Sequence, residues 1–208
     1  MFMYKLLFKL TFIGFTAFAI SVLNAGEGRD ENSAVKEVPG YLTFSYNLSE
    51  KLVLPMDEID FNRFQLIHKA NVPRSGVYVH EWVPKGQDLT NWKEMITISY
   101  MRNIISNVSE FDKSMVRQKQ KYRGSKCSFE MVYKNQKESV YILEVPNGHK
   151  DIPPFTTIMR QVFTLNGLHF VLYEKRNELL STHEKEKWVE NLRKGFLSED
   201  MPNFKANR

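Results

Sequence analysis

The chain has 208 residues, 42% of them hydrophobic, 25% charged and 13% aromatic, which is ordinary globular composition with room for one domain and a sizeable core. The formal charge is +5, but Lys5 and Lys9 lie in an N-terminal segment, and beyond residue 25 the balance is 27 basic against 24 acidic residues, too even to mark a nucleic-acid binder. The single cysteine, Cys127, excludes an intramolecular disulfide and reads as a small buried apolar side chain.

Residues 1–25 have the form of a secretory signal peptide. Lys5 and Lys9 give the positive start, Leu10–Leu23 is apolar, and Leu23-Asn24-Ala25 offers a small residue at the cut. The apolar run is shorter than the ~20 residues that span a bilayer, and no cysteine follows it to carry a lipid. Residues 26–39 are polar and unpatterned, as in a flexible leader. A single domain is expected over residues 40–198, followed by a polar tail over 199–208.

Tyr41–Asn47 alternates and reads as a first strand, and Lys51–Leu54 is a short apolar run ended by Pro55. Within Met56–Asn71 a strand is expected near Phe64–Lys69. Gly76–Val83 is a strand with Val77, Val79, Glu81 and Val83 on one face and Tyr78, His80 and Trp82 on the other. Pro84-Lys85-Gly86 stops it. Thr90 is placed to cap a short helical turn holding Trp92, and Met95–Tyr100 is the next strand. Ile104, Val108, Phe111 and Met115 recur at helical spacing, which predicts an amphipathic helix over Asn103–Tyr122 with a polar face rich in Lys, Arg and Gln.

Cys127–Tyr133 and Ser139–Val145 read as a hairpin. Phe155–Leu165 and Leu168–Lys175 form a second one around Asn166-Gly167, a pair suited to a two-residue turn. That turn pairs Phe163 with Phe170 on a core face and Arg160 with Tyr173 on the other face. Ser181-x-x-Glu184 is a capping box opening a helix whose apolar stripe is Trp188, Val189, Leu192 and Phe196. The expected architecture is α+β: a mostly antiparallel sheet flanked by two amphipathic helices.

No catalytic signature occurs: there is no G-x-S-x-G, no phosphate-binding glycine loop and no H-E-x-x-H. The five histidines stand singly, so neither a metal site nor a cofactor is expected. The acidic group Asp57, Glu58 and Asp60 lacks the spacing of a calcium loop and reads as a solvated turn. The candidate binding residues are Trp82, Trp92 and His80 around the elbow after the strand at Gly76–Val83. Arg160, His169 and Tyr173 join them on the back of the late hairpin, lining a groove if the C-terminal helix leaves them open. Arg117, Lys119, Lys121 and Arg123 form a basic surface suited to an anionic partner, including a membrane.

The pattern E-W-V-P-x-G-x-x-x-x-x-W-x-x-x-I-T over Glu81–Thr97 resembles one in small exported bacterial proteins of unknown function. The later R-Q-V-F-x-x-x-G-L-H-F-V-x-Y-E-x-R and W-V-x-x-L are similar to the closing hairpin and helix of that group. The layout also resembles the PsbP-like sandwich, whose members are mostly binding or assembly modules, and that resemblance implies a binding protein rather than an enzyme. The sequence therefore favours an exported, non-enzymatic binding protein, periplasmic or secreted, with an unknown protein or envelope component as partner; a host-interacting factor of a Gram-negative bacterium is one version. The alternatives are an envelope hydrolase or transferase drawing on His80, Cys127 or His169, and a membrane-surface protein held by the basic helix. An enzyme requires two or three of those side chains to converge in one pocket.

Overall fold

The structure is a computed structural model that describes residues 33–38, 41–46, 51–55, 60–72, 76–102, 122, 125–149 and 152–197. Seven strands form one antiparallel sheet in the order β4-β5-β6-β10-β9-β8-β7. They are β4 (Phe64–Val72), β5 (Val77–Pro84), β6 (Glu94–Arg102), β7 (Ser128–Lys134), β8 (Glu138–Val145), β9 (Phe155–Phe163) and β10 (Gly167–Arg176). A smaller four-stranded sheet joins β1 (Ser33–Val38), β2 (Tyr41–Tyr46), β3 (Lys51–Pro55) and β11 (Phe196–Leu197). The one α-helix among the described residues is α1 (Thr182–Lys194).

Period-two alternation sets two faces on the large sheet. On the first lie Tyr78, Trp82, Ile96, Ile98, Tyr100, Val140, Ile142, Ile158, Val171 and Tyr173. This helix face packs beneath α1, through Trp188, Val189 and Leu192, and beneath the small sheet, through Phe44, Leu52 and Leu54. Phe44 meets Trp82 edge-on at 5.4 Å, and Tyr173 stacks on Trp188 at 3.6 Å. The far face carries a second cluster, including Val77, Val79, Met101, Tyr141, Leu143, Met159, Phe163, Phe170 and Leu172. Val83, Trp92 and Met95 form a third beside it.

Several expectations are corrected. The α+β, PsbP-like sandwich with two flanking helices gives way to a nearly all-sheet architecture with a single α-helix among the described residues. The second expected helix, Asn103–Tyr122, lies outside them except for Tyr122. Ser33–Val38, expected as part of the leader, is strand β1 and pairs along its length with β2. Backbone pairing with a neighbouring strand does not need an apolar pattern, so composition missed it. Thr90 caps no helix. Asp88 organises the elbow instead, accepting from the Thr90 N–H at 2.7 Å, the Thr90 hydroxyl at 2.6 Å and the Asn91 N–H at 3.2 Å.

The late hairpin turns one residue earlier than Asn-Gly suggests. Leu168 pairs with Phe163 and Val171 with Arg160, so the turn residues are Leu165-Asn166, with Leu165 fully exposed. The Thr164 hydroxyl closes the turn, accepting from the N–H groups of Asn166 at 3.2 Å and Gly167 at 3.1 Å. Gly167 serves a close approach instead, since a Cβ there would collide with the Met101 carbonyl of β6. The register moves by two residues, so each side chain keeps its expected face.

Candidate functional site

The expected binding residues lie inside the molecule. Trp82 and His80 are buried on the helix face beside Phe44. His169 is buried against Tyr100, with ring centroids 4.7 Å apart. Tyr173 lies under Trp188 and donates its hydroxyl to Glu94 at 2.8 Å. Trp92 is buried in the third cluster, with the Arg176 guanidinium 3.6 Å over its ring. The helix covers the back of the late hairpin, so the groove expected there is closed. Arg117, Lys119, Lys121 and Arg123 lie outside the described residues, as do Asp57 and Glu58; Asp60 is exposed at the start of a short 3-10 turn.

His80, Cys127 and His169 do not converge. His80 and His169 project from the helix face, whereas Cys127 packs against the far-face cluster. The sheet separates thiol from imidazoles.

A groove of about 680 Å³ opens between α1 and the β7–β8 end of the sheet. On α1 it is walled by Thr182, Lys185, Glu186, Val189, Glu190 and Arg193, a stripe at helical spacing. The sheet side supplies Glu130, Val132, Glu138 and Ile142. That stripe spans eleven helical rises, roughly 17 Å, the reach of about five extended residues. β7 is the edge strand of the large sheet and exposes Val132 in the groove.

Fixed contacts set the groove's width. The helix starts on a complete capping box: Ser181 accepts from the Glu184 N–H at 3.2 Å and Glu184 accepts from the Ser181 N–H at 2.8 Å. The Ser181 N–H and hydroxyl, with Lys175, hold the Glu184 carboxyl down to about 2. Lys185 bonds Glu144 of β8 at 3.1 Å. At the other end Arg160 of β9 pairs with Glu138, its Nε–H donating at 2.9 Å, and donates from Nη1 to the Leu192 carbonyl at 2.7 Å and to the Gly195 carbonyl. A buried cation thereby supplies a donor to carbonyls at a helix C-terminus, adding to the Gly195 N–H from which the Leu192 carbonyl already accepts. Arg193 lies over the Tyr133 ring at 4.1 Å, joining α1 to β7.

A smaller cleft of about 280 Å³ lies on the other side of α1. Its charges are mutually engaged: Arg63 makes two bonds to Glu94, and Lys175 bonds both Glu178 and Glu184. Burial raises the Glu94 carboxyl, but the bonds from Arg63 and Tyr173 outweigh it and hold the group below its ordinary value.

The far face holds a different polar set. Glu81 of β5 is fully buried, and neither carboxyl oxygen has a hydrogen-bond partner. Burial, with Glu174 nearby, pushes its carboxyl up to about 7. His68 pairs with it across the bulged β4–β5 ladder, and burial lowers that imidazole. Ser139 and Ser99 flank the Gln161–Phe170 pair in a row across β8, β9, β10 and β6, with both hydroxyls and the Gln161 carbonyl unpartnered. Glu174 is better served, accepting from Thr157 at 3.2 Å and Arg176 at 3.0 Å. Among the described residues no three histidine, cysteine, aspartate or glutamate side chains gather as metal ligands.

Among the described residues the groove combines an open, partly apolar lining with a rigid frame. Its residues went unread in the sequence because Glu130 and Glu186 look like any solvated charge, and nothing local announces that β7 and α1 will face each other.

The profile of an uncharacterised bacterial family matches residues 56–205. The chain belongs to that family. The matched span contains all seven strands of the large sheet and α1, hence both walls of the groove. No curated protein matches the sequence. Among solved structures the chain is similar to the Ran-binding protein Mog1p of Saccharomyces cerevisiae, at 12% identity over 79% of this chain and 95% of that one, with a TM-score of 0.44.

Proposed function

We propose that this protein is an exported binding module, without a reaction of its own, that captures a short segment of a partner in the groove between α1 and β7–β8. The observation that carries this reading is the groove itself: an opening of about 680 Å³ with Val132, Ile142 and Val189 among its lining and charged residues along its walls. Its frame is fixed by Arg160, Lys185 and the Tyr173–Trp188 stack, so little ordering cost falls on binding. The separation of Cys127 from His80 and His169 weighs against the hydrolase alternative. Export rests on the N-terminal segment, and a mature chain beginning at Gly26 is expected by intact mass after expression in a bacterium.

An array of seven-residue peptides probed with the full chain tests the binding reading. It should select sequences with an apolar centre, and Val132→Arg in the groove wall should remove that binding. Leu66→Arg, on the exposed opposite edge strand, should leave it intact. Equal binding by all three proteins would overturn the assignment, as would turnover of an envelope substrate that a groove substitution abolishes.

A further inference from the structure

We infer that the segment captured in the groove is cationic, an apolar residue flanked by lysine or arginine. This rests on the binding reading above and adds the chemistry of the partner.

The groove carries charges of both signs, but they are not equally available. Its basic groups are committed. Lys185 is bonded to Glu144 at 3.1 Å, Lys194 to Glu190 at 3.1 Å, and Arg193 lies on the Tyr133 ring. Glu138 is engaged by Arg160. Two groups are left over, Glu130 on β7 and Glu186 on α1, both exposed and neither with a partner among the described residues. They stand on opposite walls of the groove that Val132, Ile142 and Val189 also line.

An anionic segment entering here would meet two uncompensated carboxylates. To find a cation it would have to pull Lys185 off Glu144 or Arg193 off its ring. A cationic segment displaces nothing. Its apolar residue covers Val132 and Val189 while its charges reach Glu130 and Glu186. Pairs of this kind at a wet rim bring about threefold in affinity each, and they act mainly on which partner is accepted. They weaken as salt shortens the screening length from about 10 Å at 0.1 M to about 3 Å at 1 M.

The test uses the full chain and four fluorescent peptides that share one apolar centre and carry flanking Lys, Arg, Gln or Glu. The Lys and Arg peptides should bind about tenfold tighter than the Gln peptide, and the Glu peptide weakest. The preference should vanish at 1 M salt. The double variant Glu130→Lys, Glu186→Lys, with both changes on exposed side chains, should reverse the order. Equal affinity for all four peptides would overturn the charge inference and leave the groove reading standing. No binding by any peptide, whether or not the chain instead self-associates through Glu130 and Glu186, would overturn both.

Discussion

Arg160 and Glu81 are both charged residues buried in the same sheet, on opposite faces, and they are treated in opposite ways. Arg160 has a carboxylate and two helix-end carbonyls around its guanidinium. Glu81 has no hydrogen-bond partner at either oxygen. An arginine cannot shed its charge, so burying one requires partners, and those partners lie on the element it holds in place. A glutamate can take up a proton, and Glu81 does so near neutrality. The helix face is therefore built around a permanent charge that locks α1, and the far face around a conditional one that burial tends to neutralise.

Breaking the Arg160 side should have the largest effect. Arg160→Met should cost about 3–5 kcal/mol, because Glu138 and the Gly195 carbonyl lose the Arg160 donor and the Leu192 carbonyl is left with the Gly195 N–H alone. Adding Glu138→Gln should recover part of that by removing the stranded charge. Urea denaturation of both variants measures it, and a loss under about 1 kcal/mol would mean that Arg160 does not latch the helix.

The Glu81 side should respond in the opposite direction and only in one pH range. The unfolded chain releases this proton near 4.5, whereas the folded protein holds it to about 7. Stability is therefore fullest below 4.5, falls as pH climbs to 7, and stays low above. Glu81→Gln removes the loss and should be stabilising by about 3 kcal/mol at pH 8, with little difference at pH 4. Parallel pH profiles for the two proteins would show that Glu81 stays ionised in the fold.

His80 sharpens the contrast, since burial, with Lys69 and His68 nearby, pushes its imidazole down to about 4. The unfolded chain takes up this proton below 6.5, so stability falls as pH drops from 6.5 to 4. In the wild type the Glu81 and His80 slopes oppose each other between 4.5 and 6.5. The Glu81→Gln variant should therefore expose an acid-side loss that the wild type masks. A His80 resonance that titrates near 6.5 in the folded protein would remove this balance.

The smallest effect belongs to the other end of α1. Ser181→Ala removes one side of the capping box and should cost about 1 kcal/mol, read by thermal unfolding. A cost matching that of Arg160→Met would make the cap, not the latch, the chief support of the helix.

Individual elements were legible from local pattern, though the two-helix α+β architecture built from them was not the one observed. β5, β6 and the capping box follow from alternation and from Ser181 and Glu184, and the two faces of β5 and β10 come out as the alternation orders them. The candidate site was not legible. Trp82, Trp92 and Tyr173 attract notice as aromatic side chains, yet aromatic area is also what a core uses, and all three are buried. Glu130 and Glu186 are exposed charges with no local mark, and they become a pair only because β7 ends the sheet beside α1. Arg160 drew attention as a groove residue, and its role as a helix latch depended on where Leu192 and Gly195 came to lie.

By itself the sequence determined which residues alternate, where the late helix begins and which side of each strand is apolar, because these follow from spacings of two and 3.6 residues and from the chemistry of a cap. Tertiary structure alone decided that β1 pairs with β2, that Gly167 is needed beside Met101 rather than in the turn, that Arg160 has three acceptors while Glu81 has none, and that two unremarkable glutamates face each other across a groove. Those outcomes depend on strand order and on which segment covers which face, contacts between residues distant in the chain that no local spacing encodes.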